Sequence, residues 1–387
     1  MQAIGSQSRL LHSLASCTPR GGSVSASLSS GTIRSGGWER ARNVTSLNRR
    51  VQSGASTGQQ VENVQTVQFL PPELEEIIEP AAVAMARRMR RIPVTLPSQS
   101  EPLQTACVGP EPSDASRLAE TTPVVLLHGF DSSSLEFRRL YPLLEEQTET
   151  WAVDLVGWGF TDNAFAESKD QALGPIQKRE HLYSWWKEYV GRPMVLVGAS
   201  LGGAVAIDFA HAYPEAVSKI VLVDAQGFID GIGPMASLPR PLAMLGVSVL
   251  KTVPLRQAAN KMAYFDKNLY ATEDAMRVGR LHTHMPGWAD ANCAFMQSGG
   301  YSILDIIPKV QQQTLILWGR QDEILDPKYA TQFLQTLPNA ELVWVEQCGH
   351  CAHLEQPAFM AKTVLEFIGG APTSSEIGQG LLPHGIP

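Results

Sequence analysis

Met194-Val195-Leu196-Val197-Gly198-Ala199-Ser200-Leu201-Gly202-Gly203-Ala204 is the stretch whose reading decides the fold. A short apolar run leads into a turn with glycines around a single serine, and small residues suited to a tightly packed helix follow. The spacing Gly-x-Ser-x-Gly lifts a serine hydroxyl out of a sharp strand-to-helix turn. Gly198 and Gly202 are expected where the backbone on either side of Ser200 packs too closely for a Cβ atom. A serine so placed becomes a nucleophile only when a base, an orienting acid and an oxyanion site stand beside it. The rest of the chain supplies candidates for each.

Continuous apolar runs, the mark of parallel strands buried on both faces, recur at 123–127, 150–154, 194–197, 219–223, 314–318 and 341–345. Helical segments separate most of them: 181–190, closing at Gly191, 201–213, stopping before Pro214, and roughly 327–337. This alternation predicts the α/β class, a mostly parallel twisted sheet with helices on both faces. Residues 232–308 break the rhythm. They hold helical stretches and no convincing strand, and are predicted to form a helical cap over the carboxyl edge of the sheet. Six of the eleven methionines (Met235, Met244, Met262, Met276, Met285 and Met296) fall in this segment, with Phe265, Trp288 and Phe295. Thioethers adapt to irregular apolar space; most of these side chains are expected to form the cap's own core and a few to line a pocket.

In an open parallel sheet, ligands and catalytic loops gather at the carboxyl ends of the strands. The strand at 314–318 is followed by Asp322 and the strand at 341–345 by His350, with one helix and one strand between them. Both residues are therefore predicted at the edge that carries Ser200. Asp224 and Asp326 are the alternatives for the acid, and His353 for the base. The order Ser, Asp, His is the order used by strand–turn–helix hydrolases.

Five motifs then occur in sequence: His128-Gly129-Phe130, Asp154-Leu-Val-Gly-Trp-Gly-Phe-Thr-Asp162, Gly198-Ala-Ser-Leu-Gly-Gly203, Trp318-Gly-Arg-Gln-Asp322 and Cys348-Gly-His350. On these, the chain from about residue 95 to 370 resembles the α/β-hydrolase fold superfamily. The likeness is to its capped branch, with epoxide hydrolases, carbon–carbon bond hydrolases and pheophytinase-like plastid esterases, and to a group of plant and algal plastid hydrolases. Epoxide hydrolases and haloalkane dehalogenases carry aspartate as the nucleophile, and Ser200 argues against both reactions. The resemblance implies Ser200 as nucleophile, His350 as base and then acid, and Asp322 as the orienting carboxylate. It also implies an oxyanion hole from the N–H groups of Leu201 and Phe130, with His128 and Gly129 shaping the loop and Asp154 and Asp162 fixing neighbouring loops.

Up to residue 60 the chain is rich in Ser and Gly and carries seven arginines, no lysine and one acidic residue, Glu39. That make-up predicts an organelle transit peptide, its serines favouring a plastid destination; a basic tail with no address is the alternative. Setting this segment aside leaves 24 basic against 37 acidic residues, a formal charge of −13. Such a domain is not expected to bind nucleic acid. Residues 80–92 are predicted as a helix with Pro80 in its first turn and Arg87, Arg88, Arg90 and Arg91 along it. Its apolar residues could dock it on the domain or on an anionic membrane surface.

Cys348-x-x-Cys351 with His350 and His353 has the spacing of a zinc half-site or a redox pair. No second half-site follows, and a metal-bound His350 could not act as a free base, so the thiols are read as incidental to a catalytic loop. No cofactor or metal is expected. The expected organisation is a transit peptide over 1–60, an extension with a basic helix over 61–94, the core over 95–231 and 309–370, the cap over 232–308 and a disordered tail over 371–387. The expected activity is hydrolysis of an ester with an apolar acyl or prenyl portion through an acyl-enzyme. Acyl transfer, a lyase reaction or carbon–carbon hydrolysis on the same residues, and ligand reception on a hydrolase frame, are the alternatives. Oligomeric state is not legible.

Overall fold

The computed structural model describes residues 68–97, 99, 101–111, 113, 118, 120–163 and 173–370. The expected transit peptide and C-terminal tail lie outside the described residues. Eight strands form one sheet: β1 (Arg90–Val94), β2 (Leu103–Val108), β3 (Val124–Leu127), β4 (Thr150–Val153), β5 (Met194–Ala199), β6 (Val217–Val223), β7 (Gln313–Gly319) and β8 (Ala340–Val345). Their order is β1-β2-β4-β3-β5-β6-β7-β8. The pairs β1–β2 and β2–β4 are antiparallel and all the others parallel. The six apolar runs of the sequence are the six parallel strands.

Helices α1 (Pro80–Arg88), α2 (Tyr141–Glu145), α3 (Pro175–Tyr189) and α4 (Leu201–Ala212) precede the insertion between β6 and β7. The insertion holds α5 (Arg240–Leu250), α6 (Val253–Ala263), α7 (Lys267–Tyr270), α8 (Glu273–Leu281) and α9 (Trp288–Gln297), and no strand among the described residues. Helices α10 (Lys328–Thr336), α11 (Ala352–Glu355) and α12 (Pro357–Gly369) complete the chain.

Period-two alternation divides the strand side chains between two apolar layers. Val125, Leu127 and Leu196 face a layer with Leu182 and Trp185 of α3, Phe209 of α4 and Phe333 of α10. Val124, Leu126, Val195 and Val197 face the other, with Met85 of α1, Tyr141 of α2 and Val364 of α12. Every residue of β3 and β5 is buried. Each fully buried Val or Leu contributes about 1.5–3 kcal/mol, so the strands that aim the candidate nucleophile are among the firmest elements.

The region before residue 95 differs from expectation. The helix ends at Arg88, where Met89 turns extended, and Arg90–Val94 joins the sheet by pairing with β2 in the register Arg90↔Cys107 to Val94↔Leu103. The edge of the sheet thus begins inside the segment expected to be an extension. Basic side chains masked the strand: Arg90 lies over the Trp151 ring and Arg91 donates to the Phe160 carbonyl at 2.9 Å. Of the two destinations expected for the apolar face of α1, the domain takes it, burying Ala82, Met85 and Ala86. Arg88 pairs with Glu145 and Glu111.

Candidate active site

Ser200 sits between β5 and α4 with φ 52° and ψ −119°. A serine at positive φ is strained, and the surroundings hold it there. Its N–H donates to the Val223 carbonyl at 2.9 Å, and its own carbonyl accepts from Gln226 N–H at 2.8 Å. A Cβ on Gly198 would fall 2.3 Å from the Gly202 carbonyl oxygen, and one on Gly202 would fall 2.1 Å from the Leu127 carbonyl oxygen. The expected reason for both glycines is therefore found, and the end of β3 is pressed against the first turn of α4. Gly129 approaches the serine so closely that its Cβ would lie 3.2 Å from that of Ser200. Among the described residues no acceptor receives the N–H of Phe130 or of Leu201.

His128 is fully buried. Its Nδ1 faces the Gly129 carbonyl at 2.9 Å, and its Nε2 accepts from Leu155 N–H at 3.2 Å. Burial takes its pKa down to about 3, so the ring is a neutral brace for the loop. Asp154 fixes two loops at once, accepting from Ser134 N–H at 2.6 Å and Phe160 N–H at 2.7 Å.

On the far side of the sheet edge, His350 Nδ1 lies 2.7 Å from Asp322 Oδ2. The other carboxylate oxygen, Oδ1, accepts from the N–H groups of Ile324 (2.7 Å) and Leu325 (2.9 Å), which fixes the plane of the carboxylate. With Nδ1–H donating to Asp322, Nε2 is left as the basic nitrogen. Burial disfavours the imidazolium, yet the charges of Asp322 and Glu136 outweigh it and raise the His350 pKa above its usual value.

The alternatives fall into other roles. Asp224 accepts from Gly319 N–H at 2.7 Å, bracing the end of β7. Burial and the neighbouring Asp322 push its pKa well above the usual carboxylate value. Asp326 accepts from Lys328 N–H at the start of α10. His353 is buried against Phe137, and burial lowers its pKa to about 3. Cys348 and Cys351 are free thiols whose pKa burial drives upward, which is the opposite of a reactive thiolate. Among the described residues no three of His, Cys, Asp and Glu are grouped to hold a metal ion.

Glu136 and Asp131 also belong to the site, and no motif marks them, although both lie within eight residues of His128. Glu136 accepts from Gly129 N–H at 3.1 Å. Burial raises its pKa to about 7 against hydrogen bonds from Ser132 and Gly129. Its charge favours imidazolium at His350, so removing it lowers the His350 pKa. A base works only when neutral, and its activity is lost as pH falls through its pKa. The Glu136→Gln protein is therefore expected to keep its activity to lower pH than the wild type. A kcat/KM profile from pH 4 to 9 checks this; an acid limb that stays put or moves upward refutes it.

Above the serine, Phe130 is 37% exposed. Its ring lies 5.7 Å from Trp158 and 5.8 Å from Phe295 of α9, and Trp158 and Phe295 meet edge to face at 4.7 Å. Phe295 is the cap aromatic that reaches this wall. Met296 is buried in a small core with Ala243, Val247 and Trp288, as expected of a side chain that fills the insertion itself, whereas Met285 joins the sheet layer that holds Leu126 and Val197.

The alpha/beta hydrolase family matches residues 124–363. The alpha/beta hydrolase domain-containing protein VTE7 of Arabidopsis thaliana is 42% identical over 305 residues, covering 78% of this chain and 90% of that protein. Monoacylglycerol lipase ABHD6 of Homo sapiens is 23% identical over 254 residues, covering 63% and 74%. Among solved structures, a thermophilic esterase from Thermogutta terrifontis superposes with a TM-score of 0.60 at 18% identity, over 73% of this chain and 98% of that one.

Proposed function

Because the chain belongs to the alpha/beta hydrolase family, we propose that it is a serine hydrolase that cleaves an ester of an apolar acyl or prenyl-type molecule through an acyl-enzyme. The observation that carries this reading is the Asp322–His350 hydrogen bond of 2.7 Å, at the same sheet edge as a serine held at φ 52°. Ser200 Oγ attacks the carbonyl while His350 Nε2 takes its proton, and the imidazolium then protonates the leaving alcohol. Water, deprotonated by the same nitrogen, attacks the acyl-enzyme carbonyl and releases the acid and Ser200. The N–H groups of Phe130 and Leu201 receive the oxyanion, and the start of α4 adds the positive end of a helix. The substrate class is supported by the aromatic wall of Phe130, Trp158 and Phe295 and by the lipase and esterase names among the similar proteins. A plastid location is part of the proposal and is supported by the Ser- and Arg-rich first sixty residues and by the plant relative.

The test is hydrolysis of p-nitrophenyl esters from acetyl to palmitoyl, together with labelling by a fluorophosphonate. Labelling at Ser200 with a chain-length optimum supports the reading. Labelling without turnover points to acyl transfer or a lyase reaction, and no labelling points to ligand reception.

Contact with a bilayer is a further part of the proposal, and α5 is the element that supports it. Leu238, Leu242, Leu245, Val249 and Val253 are all exposed; the first four recur at helical spacing. No acidic residue lies between 231 and 265, in a chain of net charge −7, and Lys251 and Lys261 are exposed beside the stripe. An apolar face with basic flanks suits an anionic lipid surface. The Leu242→Glu/Leu245→Glu protein is expected to lose co-sedimentation with phosphatidylglycerol vesicles while hydrolysing soluble esters normally. Equal sedimentation of both proteins refutes it.

A further inference from the structure

Phe130 is proposed above as an oxyanion donor, and the residue that follows it is held from outside the core. Asp131 has φ 47° and is only 4% exposed. Four cap side chains converge on it. Trp288 Nε1 donates to Oδ1 at 2.7 Å, Asn292 Nδ2 at 3.2 Å, and His282 Nε2 lies 3.0 Å from the same oxygen. Arg256 Nη2 pairs with Oδ2, and Arg256 Nη1 reaches the Asp131 carbonyl at 3.4 Å. Burial opposes the charge, but Arg256 and His282 hold the carboxyl down at about 2, so it remains a carboxylate at any working pH.

The network continues toward the substrate side. Asn292 Oδ1 accepts from Trp158 Nε1 at 3.2 Å, and the Trp158 ring packs edge to face on Phe130. Phe130 is therefore gripped by its ring on one side and through Asp131 on the other. A residue at positive φ relaxes when its restraints are removed, and a change of φ at Asp131 turns the peptide that joins it to Phe130. Hydrogen-bond donors to an oxyanion act only when fixed in advance at 2.7–3.1 Å from where the charge develops.

We propose that Asp131 is a positioning residue that lets the cap set the oxyanion loop, so that seating the cap on the core aims the N–H of Phe130. The inference rests on the serine hydrolase reading. It predicts damage centred on the tetrahedral stage: the substitutions leave the rings of Phe130, Trp158 and Phe295 in place, and among the described residues no hydrogen bond joins Asp131 to the Asp322–His350 pair.

The experiment compares wild type, Asp131→Asn and Trp288→Phe. Trp288→Phe deletes one donor while keeping a ring in place, and it carries the test if Asp131→Asn fails to fold. The readouts are kcat and KM for a p-nitrophenyl ester, the affinity for an alkyl trifluoromethyl ketone of the same chain length, and the affinity for the matching carboxylic acid. The ketone forms a hemiketal oxyanion on Ser200; the acid reports only the acyl pocket. Both variants are expected to lose about 10–100-fold in kcat, the scale of a misplaced catalytic group. Ketone affinity should fall in parallel, while KM, acid affinity and the acid limb of the pH profile stay within about twofold. Unchanged kcat, or equal weakening of ketone and acid, overturns the assignment of Asp131. A wild type inert to both ester and ketone overturns the serine hydrolase reading and this inference with it.

Discussion

Ester hydrolysis by the Ser200→Ala protein and by the His350→Ala protein is expected to fall by about 10⁴–10⁶-fold in kcat, with the double variant scarcely worse than either. The reason is mechanical. Without His350 Nε2 the serine hydroxyl keeps its proton at neutral pH, and without Ser200 the base has nothing to activate in the acylation step. The residual rate is expected from the proposed oxyanion hole, which neither substitution touches: among the described residues the N–H groups of Phe130 and Leu201 have no other acceptor. Parallel kcat measurements on the three proteins, with thermal unfolding to verify that each is folded, decide the matter. Additive losses, or a Ser200→Ala protein that turns over ester at the wild-type rate, would remove Ser200 from the reaction.

The second large effect separates two buried aspartates that stand together. Asp322→Asn is expected to lower kcat by about 10⁴-fold, because an amide can donate to His350 Nδ1 and so place the imidazole proton on Nε2, where it blocks the base. Asp224→Asn is expected to retain most of the activity. Burial and Asp322 already disfavour the charge on its carboxyl, and its hydrogen bond is to Gly319 at the end of β7, so an amide carbonyl can take the same N–H. Its effect should appear in the unfolding midpoint instead. Steady-state kinetics and thermal melts of both variants give the answer, and the reverse order of losses would reassign the acid to Asp224.

The site is continuous with the cap on its second side as well. His350 N–H donates to the Ala263 carbonyl at the end of α6 at 2.8 Å. Glu355 accepts from Gly349 N–H at 2.6 Å and from the N–H groups of Phe265 and Asp266 at 3.0–3.2 Å. The loops that carry His350 and Phe130 are thus both joined to the insertion between β6 and β7, and neither has its observed shape from the sheet alone.

Local sequence determined the parallel sheet, the serine turn and the strand ends from which Ser200, Asp322 and His350 emerge. Each of these is written over a few consecutive residues: an unbroken apolar run for a strand buried on both faces, and glycines where a Cβ would strike a carbonyl 2.1–2.3 Å away. Short-range sterics and burial suffice to fix them, and neither depends on a distant partner. Tertiary structure alone decided the rest. Strand β1 was hidden because its arginines find a ring and a carbonyl rather than water. The carboxylate that meets His350 is that of Asp322 and not Asp224, through one hydrogen bond across 28 residues of chain. Asp131 acquired its place from residues that no local pattern links to it: its carboxylate meets Arg256, His282, Trp288 and Asn292 across 125 to 161 positions. A carboxylate in a polar loop looks the same in sequence whether it faces water or the guanidinium of a distant arginine. Only the packing of the insertion on the core distinguishes the two, since burial costs a charge several kcal/mol and the pairing with Arg256 offsets part of that cost.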